Sequence, residues 1–485
     1  MPSNKKAPFN VEIQNSKEII GEKNGGLHTM IKVTPQARKK KRRNPVALAI
    51  VIDRSGSMSE LATNSSEMVD QQRWNGNHLY DQDWIGGGVA HGMQIYPRPL
   101  LPWNGWNGWN GYGFRDPRSK LEFVKRATKR LLDLMSDGDA ISIVTFDSFV
   151  QVIQPFTILD NYNRTLIQNL IDALQVGGNT YLEGGLKTGV GQLENFGGRE
   201  NFSNKVLLLS DGEANQGISD IGILSDYIAG VSLKGITLST LGVGISYNSK
   251  LMASLADAGK GDFHHVEIPE NLDSIFIEEM KSSAEVVAKN VEIELVVPAK
   301  IAVSDNLNGY PCRDRKSNGN PLVQIGDLVR AKDVLFELTT PIKVVDRNVL
   351  VKIIVHYVSL QGKPDSFEVA SLIKVGTNTV AKKAKENRRV IERVIQLLQS
   401  GATINAMQTY ESGDFVGASA VMDANIQKLS SAASYYSAPV LAASGYGETV
   451  RQMSGLATQV LGKKIDDTQT KKLHSKYRNV SRSKS

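Results

Sequence analysis

The chain has 485 residues, more than one hydrophobic core usually serves, so two or three domains are expected. No run reaches 18 apolar residues and Met1 to Lys6 lacks an apolar h-region, so neither a transmembrane helix nor a secretory signal is expected; the single cysteine, Cys312, fits a reducing compartment. The expected location is therefore intracellular and cytoplasmic, with nucleus or virion left open, and the net charge of +7 is carried by two segments, Arg38 to Arg43 and Lys471 to Ser485, without whose twelve cations the body holds 45 basic against 50 acidic residues.

Phe9 to Ile13 and Leu27 to Val33 read as two strands around Gly25-Gly26. Two strands alone are not a stable unit, so residues 1–44 are expected to add strands to a later β-domain and to end in a basic linker. Val46 to Ile52 is seven apolar residues without charge, a strand buried on both faces. Asp53-Arg54-Ser55-Gly56-Ser57 then falls at that strand's carboxyl end, where open α/β sheets bind ligands. Asp53, Ser55 and Ser57 alternate, and their oxygens suit a hard cation such as Mg2+.

Leu61 to Pro117 shows neither helical nor alternating period. It holds all five tryptophans, Trp74, Trp84, Trp103, Trp106 and Trp109. Loops of this length are usually functional or disordered, and disordered chain is poor in aromatics. The five tryptophans are therefore expected as partner contacts, against the alternative of an insertion packed on its own domain.

A helix is expected from Ser119, then strands at Ala140 to Phe146 and Val150 to Phe156. Helices follow at Asn163 to Leu174 and Leu182 to Leu193, with Thr180 before the second. Val206 to Ser210 is another buried strand, ending in Asp211. A helix from Ile218, a strand at Ile236 to Val243, a helix at Asn248 to Ala258, a strand at Asp262 to Val266 and a helix at Leu272 to Ala288 complete the domain. Strands alternating with helices mean a mostly parallel sheet covered on both faces. From Val291 to Val375 the pattern becomes β-branched and alternating, which reads as an antiparallel sandwich. Asn378 to Ser400, a segment between Gly401 and Gly413, and Phe415 to Leu429 read as helices. The expected division is 1–44, 45–284 with the insertion at 61–117, 285–376, a helical segment at 377–462 and a basic disordered tail at 463–485.

The Asp53-x-Ser55-x-Ser57 loop, Thr180 after Gly177-Gly178-Asn179, and Asp211 at the end of Val206 to Ser210 resemble the von Willebrand factor A domain and its metal-ion-dependent adhesion site. The fold this implies is α/β, a Rossmann-like doubly wound mostly parallel sheet, here with an added β-sandwich and C-terminal helices. The resemblance implies that Asp53, Ser55, Ser57, Thr180 and Asp211 hold one divalent ion, Mg2+ or else Mn2+ or Ca2+, and that a partner's Asp or Glu completes the coordination. In that family the loop runs straight into a helix, as in S-G-S-M-x-x-x-K-L; here the helix waits until Ser119. The order of A domain, β-domain and helical hairpin also resembles intracellular A-domain proteins of bacteria, plants and protists.

Other chemistry is set aside. An EF-hand reading fails, because Met58 stands where glycine is needed and Asn64 where glutamate is needed. There is no H-E-x-x-H, G-x-x-x-x-G-K-[ST] or G-x-S-x-G, and no nucleophile–base pair is evident, so an enzyme is not expected. The expected function is metal-dependent protein–protein interaction. The alternative is a structural component of a large assembly, a viral particle or scaffold, gripping neighbours through the tryptophans and nucleic acid or an anionic surface through the basic ends. A metal-dependent hydrolase stands last.

Overall fold

The computed structural model describes residues 7–36, 44–60, 119–198, 201–211, 214–244, 247–266, 274–280, 285–314, 320–344, 346–360 and 362–482. The insertion at 61–117, with its five tryptophans, and the basic run 38–43 lie outside the described residues.

The chain opens with β1 (Phe9–Asn15), β2 (Ile19–Gly21) and β3 (Gly26–Pro35). The α/β domain follows with β4 (Val46–Asp53), α1 (Lys120–Leu134), β5 (Ala140–Phe146), β6 (Val150–Ile158), α2 (Asn161–Asp172), α3 (Leu182–Glu194), β7 (Ser203–Ser210), α4 (Ile221–Leu233), β8 (Ile236–Val243), α5 (Ser249–Ala258) and β9 (Lys260–Val266). Its sheet has the order β6-β5-β4-β7-β8-β9, parallel throughout except for β6, which returns antiparallel beside β5. The central strand β4 shows why a chargeless run was required. Val46, Leu48, Ile50 and Ile52 pack under α1, α2 and the helical residues 274–280, while Ala47, Ala49 and Val51 pack under α3, α4 and α5. The small residues let α3 sit close. A Cβ at Gly189 would come 2.3 Å from Val51 Cγ2, a separation only glycine permits.

The β-domain continues with β10 (Ala288–Val296), β11 (Ala302–Asn306), β12 (Cys312–Asp314), β13 (Pro321–Leu328), β14 (Lys332–Thr339), β15 (Asn348–Val358) and β16 (Pro364–Gly376). Two sheets, β1-β3-β14-β11 and β12-β13-β10-β15-β16-β2, share one core that includes Phe9, Ile31, Ile293, Phe336 and Ile353. The N-terminal strands are thus part of this sandwich, β3 pairing antiparallel with β14 and β2 parallel with β16. The helix expected over Leu272 to Ala288 differs: the described helix covers 274–280, and Ala288 already begins β10.

The helices α6 (Asn378–Lys382), α7 (Arg388–Glu411), α8 (Phe415–Ala433), α9 (Ala438–Ala443), α10 (Tyr446–Leu461) and α11 (Asp467–Ser481) end the chain. Ile391, Met407, Met422, Met453 and Val460 form the core between them. Among the described residues no helix is long and apolar enough to cross a membrane.

The basic tail expected to be disordered is instead α11, packed on α7. Its inward positions are Thr470, His474 and Arg478, spaced by four and all buried. Arg478 donates from Nη1 and Nη2 to Asp257 at 2.8 and 2.6 Å, and Arg482 reaches the same carboxylate at 2.7 Å. Polar residues held by pairing give no apolar period, so the helix looked like a solvated charge run. Lys471, Arg478 and Arg482 are committed to the protein itself: the Lys471 ammonium lies 4.5 Å from the Tyr247 ring centroid. Three of the six cations expected at an anionic contact of the tail are thereby engaged within the protein. Arg393 of α7 is likewise internal, bound to Asp333 at 2.9 Å and to the Val480 carbonyl.

Arg478→Ala should therefore lower stability by about 1.5–3 kcal/mol, the range for a charge-assisted hydrogen bond, measured by urea unfolding. An unchanged midpoint would return the tail to a passenger role.

Candidate metal centre

The site stands on the carboxyl edge of the parallel sheet, where three loops meet. The first leaves β4 at Asp53, the second runs from α2 to Thr180, and the third leaves β7 at Asp211. Backbone hydrogen bonds join them: Gly56 donates to the Gly178 carbonyl at 2.8 Å, Gly177 to that of Arg54 at 2.6 Å, and Asn215 to that of Thr180 at 3.3 Å. In return, the Asn215 side chain accepts from the Thr180 amide at 2.7 Å. Asp147, the residue after β5, props the first two loops. Its carboxylate bridges Arg54 at 3.0 Å, and its carbonyl accepts from the Tyr181 amide at 2.8 Å. Gly177 lies so close that a Cβ there would stand 1.7 Å from Asp147 Oδ2.

Of the five residues singled out, Asp53, Ser55, Thr180 and Asp211 are buried and Ser57 is half-buried. Asp53 Oδ1 accepts from the Ser55 amide at 2.8 Å and Oδ2 from the Ser210 hydroxyl at 2.6 Å; the hydroxyls of Ser55 and Ser57 are 3.1 Å apart. Burial, and then the nearby charge of Asp211, push the Asp53 carboxyl up to about 6, against the hydrogen bonds from Ser210 and Ser55. Two carboxylates taken out of water side by side form an electrostatic debt that calls for a cation.

The residues fit a divalent ion. Asp211 Oδ1 is buried and accepts no hydrogen bond among the described residues, although a buried charged oxygen normally has a partner. Its other oxygen, Oδ2, receives the ammonium of Lys120 at 3.3 Å. Lys120 is the first residue of α1 and is almost wholly buried; it also meets the largely exposed Glu60 at 2.8 Å. The sequence reading passed over Lys120, although Lys120-Leu121 repeats the K-L that opens the family's first helix. It also passed over Ser210 and over Phe149, which is 76% exposed beside these loops. Spacing gives no sign of Ser210 or Phe149, since both depend on which loops the sheet brings together.

A second acidic group, Asp262, His264 and Glu279, gathers near the opposite half of the sheet. There Lys205 and His264 both bind the Glu279 carboxylate. Lys205 and His264 pull that carboxyl down to about 2, overcoming the larger opposing effect of burial. This cluster already contains its own cation. The five tryptophans expected at a partner surface lie outside the described residues.

The family profile of the von Willebrand factor type A domain matches residues 117–278. The uncharacterised protein YfbK of Escherichia coli (strain K12) is 28% identical over 225 residues, 45% of this chain and 39% of that protein. The uncharacterised protein sll0103 of Synechocystis sp. is 27% identical over 193 residues, 38% of this chain and 43% of that one, so the chain spans less than half the length of either. A von Willebrand factor type A structure from Catenulispora acidiphila superposes with a TM-score of 0.66 at 17% identity, covering 98% of both chains. The ArnB paralog VWA2 from Sulfolobus acidocaldarius gives 0.56 at 16% identity, covering 99% of both. The α/β domain of this chain is a von Willebrand factor type A domain, carried beside a β-sandwich and a C-terminal helical bundle.

Proposed function

We propose that the protein is a divalent-metal-dependent binding module that captures an acidic side chain of a protein partner, and that it is not an enzyme. The observation that carries this reading is the buried Asp211 Oδ1, unpartnered among the described residues, beside Asp53 on the sheet's carboxyl edge. Asp53, Ser55, Ser57, Thr180 and Asp211 would hold the ion, directly or through water. The ion supplies a concentrated positive charge with an open position for a carboxylate oxygen. Three of the five ligands are neutral hydroxyls, so they leave that charge under-compensated and ready for an anionic partner group. Mg2+ suits the all-oxygen set, and Mn2+ or Ca2+ would be accepted by the same donors.

Phe149 gives the surface an apolar rim. Asp147 and Ser148 hold its turn against the second loop, where Ser148 Oγ accepts from the Asn179 amide at 2.9 Å. An exposed aromatic ring offers a partner apolar contact area beside the charged centre. The reading of the chain as an assembly component rests on the tryptophan segment and the basic ends, and Arg478 and Arg482 are already paired within the protein.

Asp53→Ala should abolish Mg2+ binding in calorimetry and leave the circular dichroism spectrum unchanged. The same variant, or EDTA on wild type, should release the partner in a pull-down identified by mass spectrometry. Wild-type affinity in Asp53→Ala would sink the assignment. Phe149→Ala should weaken the partner by about 2 kcal/mol or more at unchanged Mg2+ affinity; equal losses of metal and partner would mean that Phe149 acts through the loop.

Proton and metal compete for Asp53. Its carboxyl is raised in the folded, metal-free protein, so the ligand is ionised above about pH 6 and protonated below. Mg2+ affinity should be flat above that point and fall by up to about tenfold per pH unit beneath it, with proton uptake by the protein on metal release. A pH-independent affinity between 5 and 7 would contradict the role given to Asp53.

A further inference from the structure

Lys120 is the unexpected member of this centre. Its side chain is 2% exposed, and its ammonium stands between two carboxylates of unlike character. Asp211 is buried and belongs to the candidate ligand set; Glu60 is 59% exposed and does not. The lysine is fixed at its base, and its tip is shared between two acids. Its amide donates to the Glu60 carbonyl at 2.9 Å, and its stem runs past Gly244, where a Cβ would lie 2.9 Å from Lys120 Cε. An ammonium is a compact charge on a rotatable stem, so it can shift between adjacent carboxylates without moving the helix that carries it.

We infer that Lys120 sets the cation affinity of the centre. Its ammonium is the resident counter-ion of the Asp53–Asp211 pair, and Glu60 is where it retreats when a divalent ion binds. The inference rests on the metal-binding reading above. The physical basis is competition: ammonium and dication need the same carboxylate, and at a separation of a few ångströms they repel each other in a poorly screened site. The distances already favour the retreat, since the contact to Glu60, at 2.8 Å, is the shorter of the two.

Two substitutions in the full chain should act in opposite directions. Lys120→Met removes the competitor and should tighten Mg2+ binding by about tenfold or more in calorimetry. Glu60→Gln removes the place of retreat, leaves the ammonium on Asp211, and should weaken Mg2+ binding by about threefold or more. Glu60 is largely exposed, so that variant keeps the fold and keeps the test alive if Lys120→Met does not fold. Lys129→Met, which removes a more exposed cation of the same helix paired with Asp172, controls for net charge and should stay within about twofold of wild type. Thermal unfolding gives an independent readout. In EDTA, Lys120→Met should melt below wild type, because the carboxylate pair has lost its counter-ion, and Mg2+ should raise its melting temperature more than that of wild type.

A Lys120→Met protein that melts lower in EDTA yet binds Mg2+ no more tightly would make the lysine structural and overturn the inference alone. Glu60→Gln binding as tightly as wild type, or Lys129→Met tightening as much as Lys120→Met, would do the same. Wild type that binds no Mg2+ would instead overturn the metal-binding reading itself, and the inference with it.

Discussion

Two carboxylates buried side by side are the constraint on which the rest of this site depends. Asp53 and Asp211 end adjacent parallel strands, β4 and β7, whose registers bring Ile52 opposite Leu209. The sheet therefore fixes the two acids before any ligand is considered. Leaving water costs each of them several kcal/mol unless a cation or hydrogen bonds compensate. Asp53 has the Ser55 amide and the Ser210 hydroxyl; among the described residues Asp211 has Lys120 on one oxygen and no hydrogen-bond partner on the other. That asymmetry gives the edge its chemistry, because the shortfall falls on an oxygen.

The fold exists to hold that edge. Apolar side chains alternate along β4 between two helical layers, so neither face of the sheet meets water and the loops at its end cannot slide. Asp147 and Arg54 lock the first loop to the second, and Asn215 locks the second to the third. The sandwich and the bundle brace the opposite side: Arg478 and Arg482 reach from α11 to Asp257 of α5, and Lys289 of β10 donates to the Phe202 carbonyl ahead of β7.

The legible portion of the sequence was the portion written in apolar spacing. Val46 to Ile52 and Val206 to Leu209 announced buried parallel strands, and the acids after them followed from position alone. The change to alternating β-branched residues after Val291 announced the sandwich. What spacing could not express was pairing. The helix α11 buries Thr470, His474 and Arg478, polar positions that give no apolar period, with Arg478 paired to Asp257, so it read as a solvated tail. Lys120 was hidden for a related reason. A lysine at a helix start is ordinarily a surface residue, and only the fold reveals that its stem is covered by Gly244 and its tip enclosed by two acids. Short strands such as Cys312–Asp314 escaped because three residues carry no period.

The central claim is that the Asp53–Asp211 edge holds a divalent ion. Crystals grown with Mn2+ and measured for its anomalous scattering test it most directly. The account predicts a peak beside Asp53 and Asp211 Oδ1, held directly or through water, next to the hydroxyls of Ser55 and Ser57, with the Lys120 ammonium turned toward Glu60. No peak at that edge, or one confined to Asp262, His264 and Glu279, would contradict it.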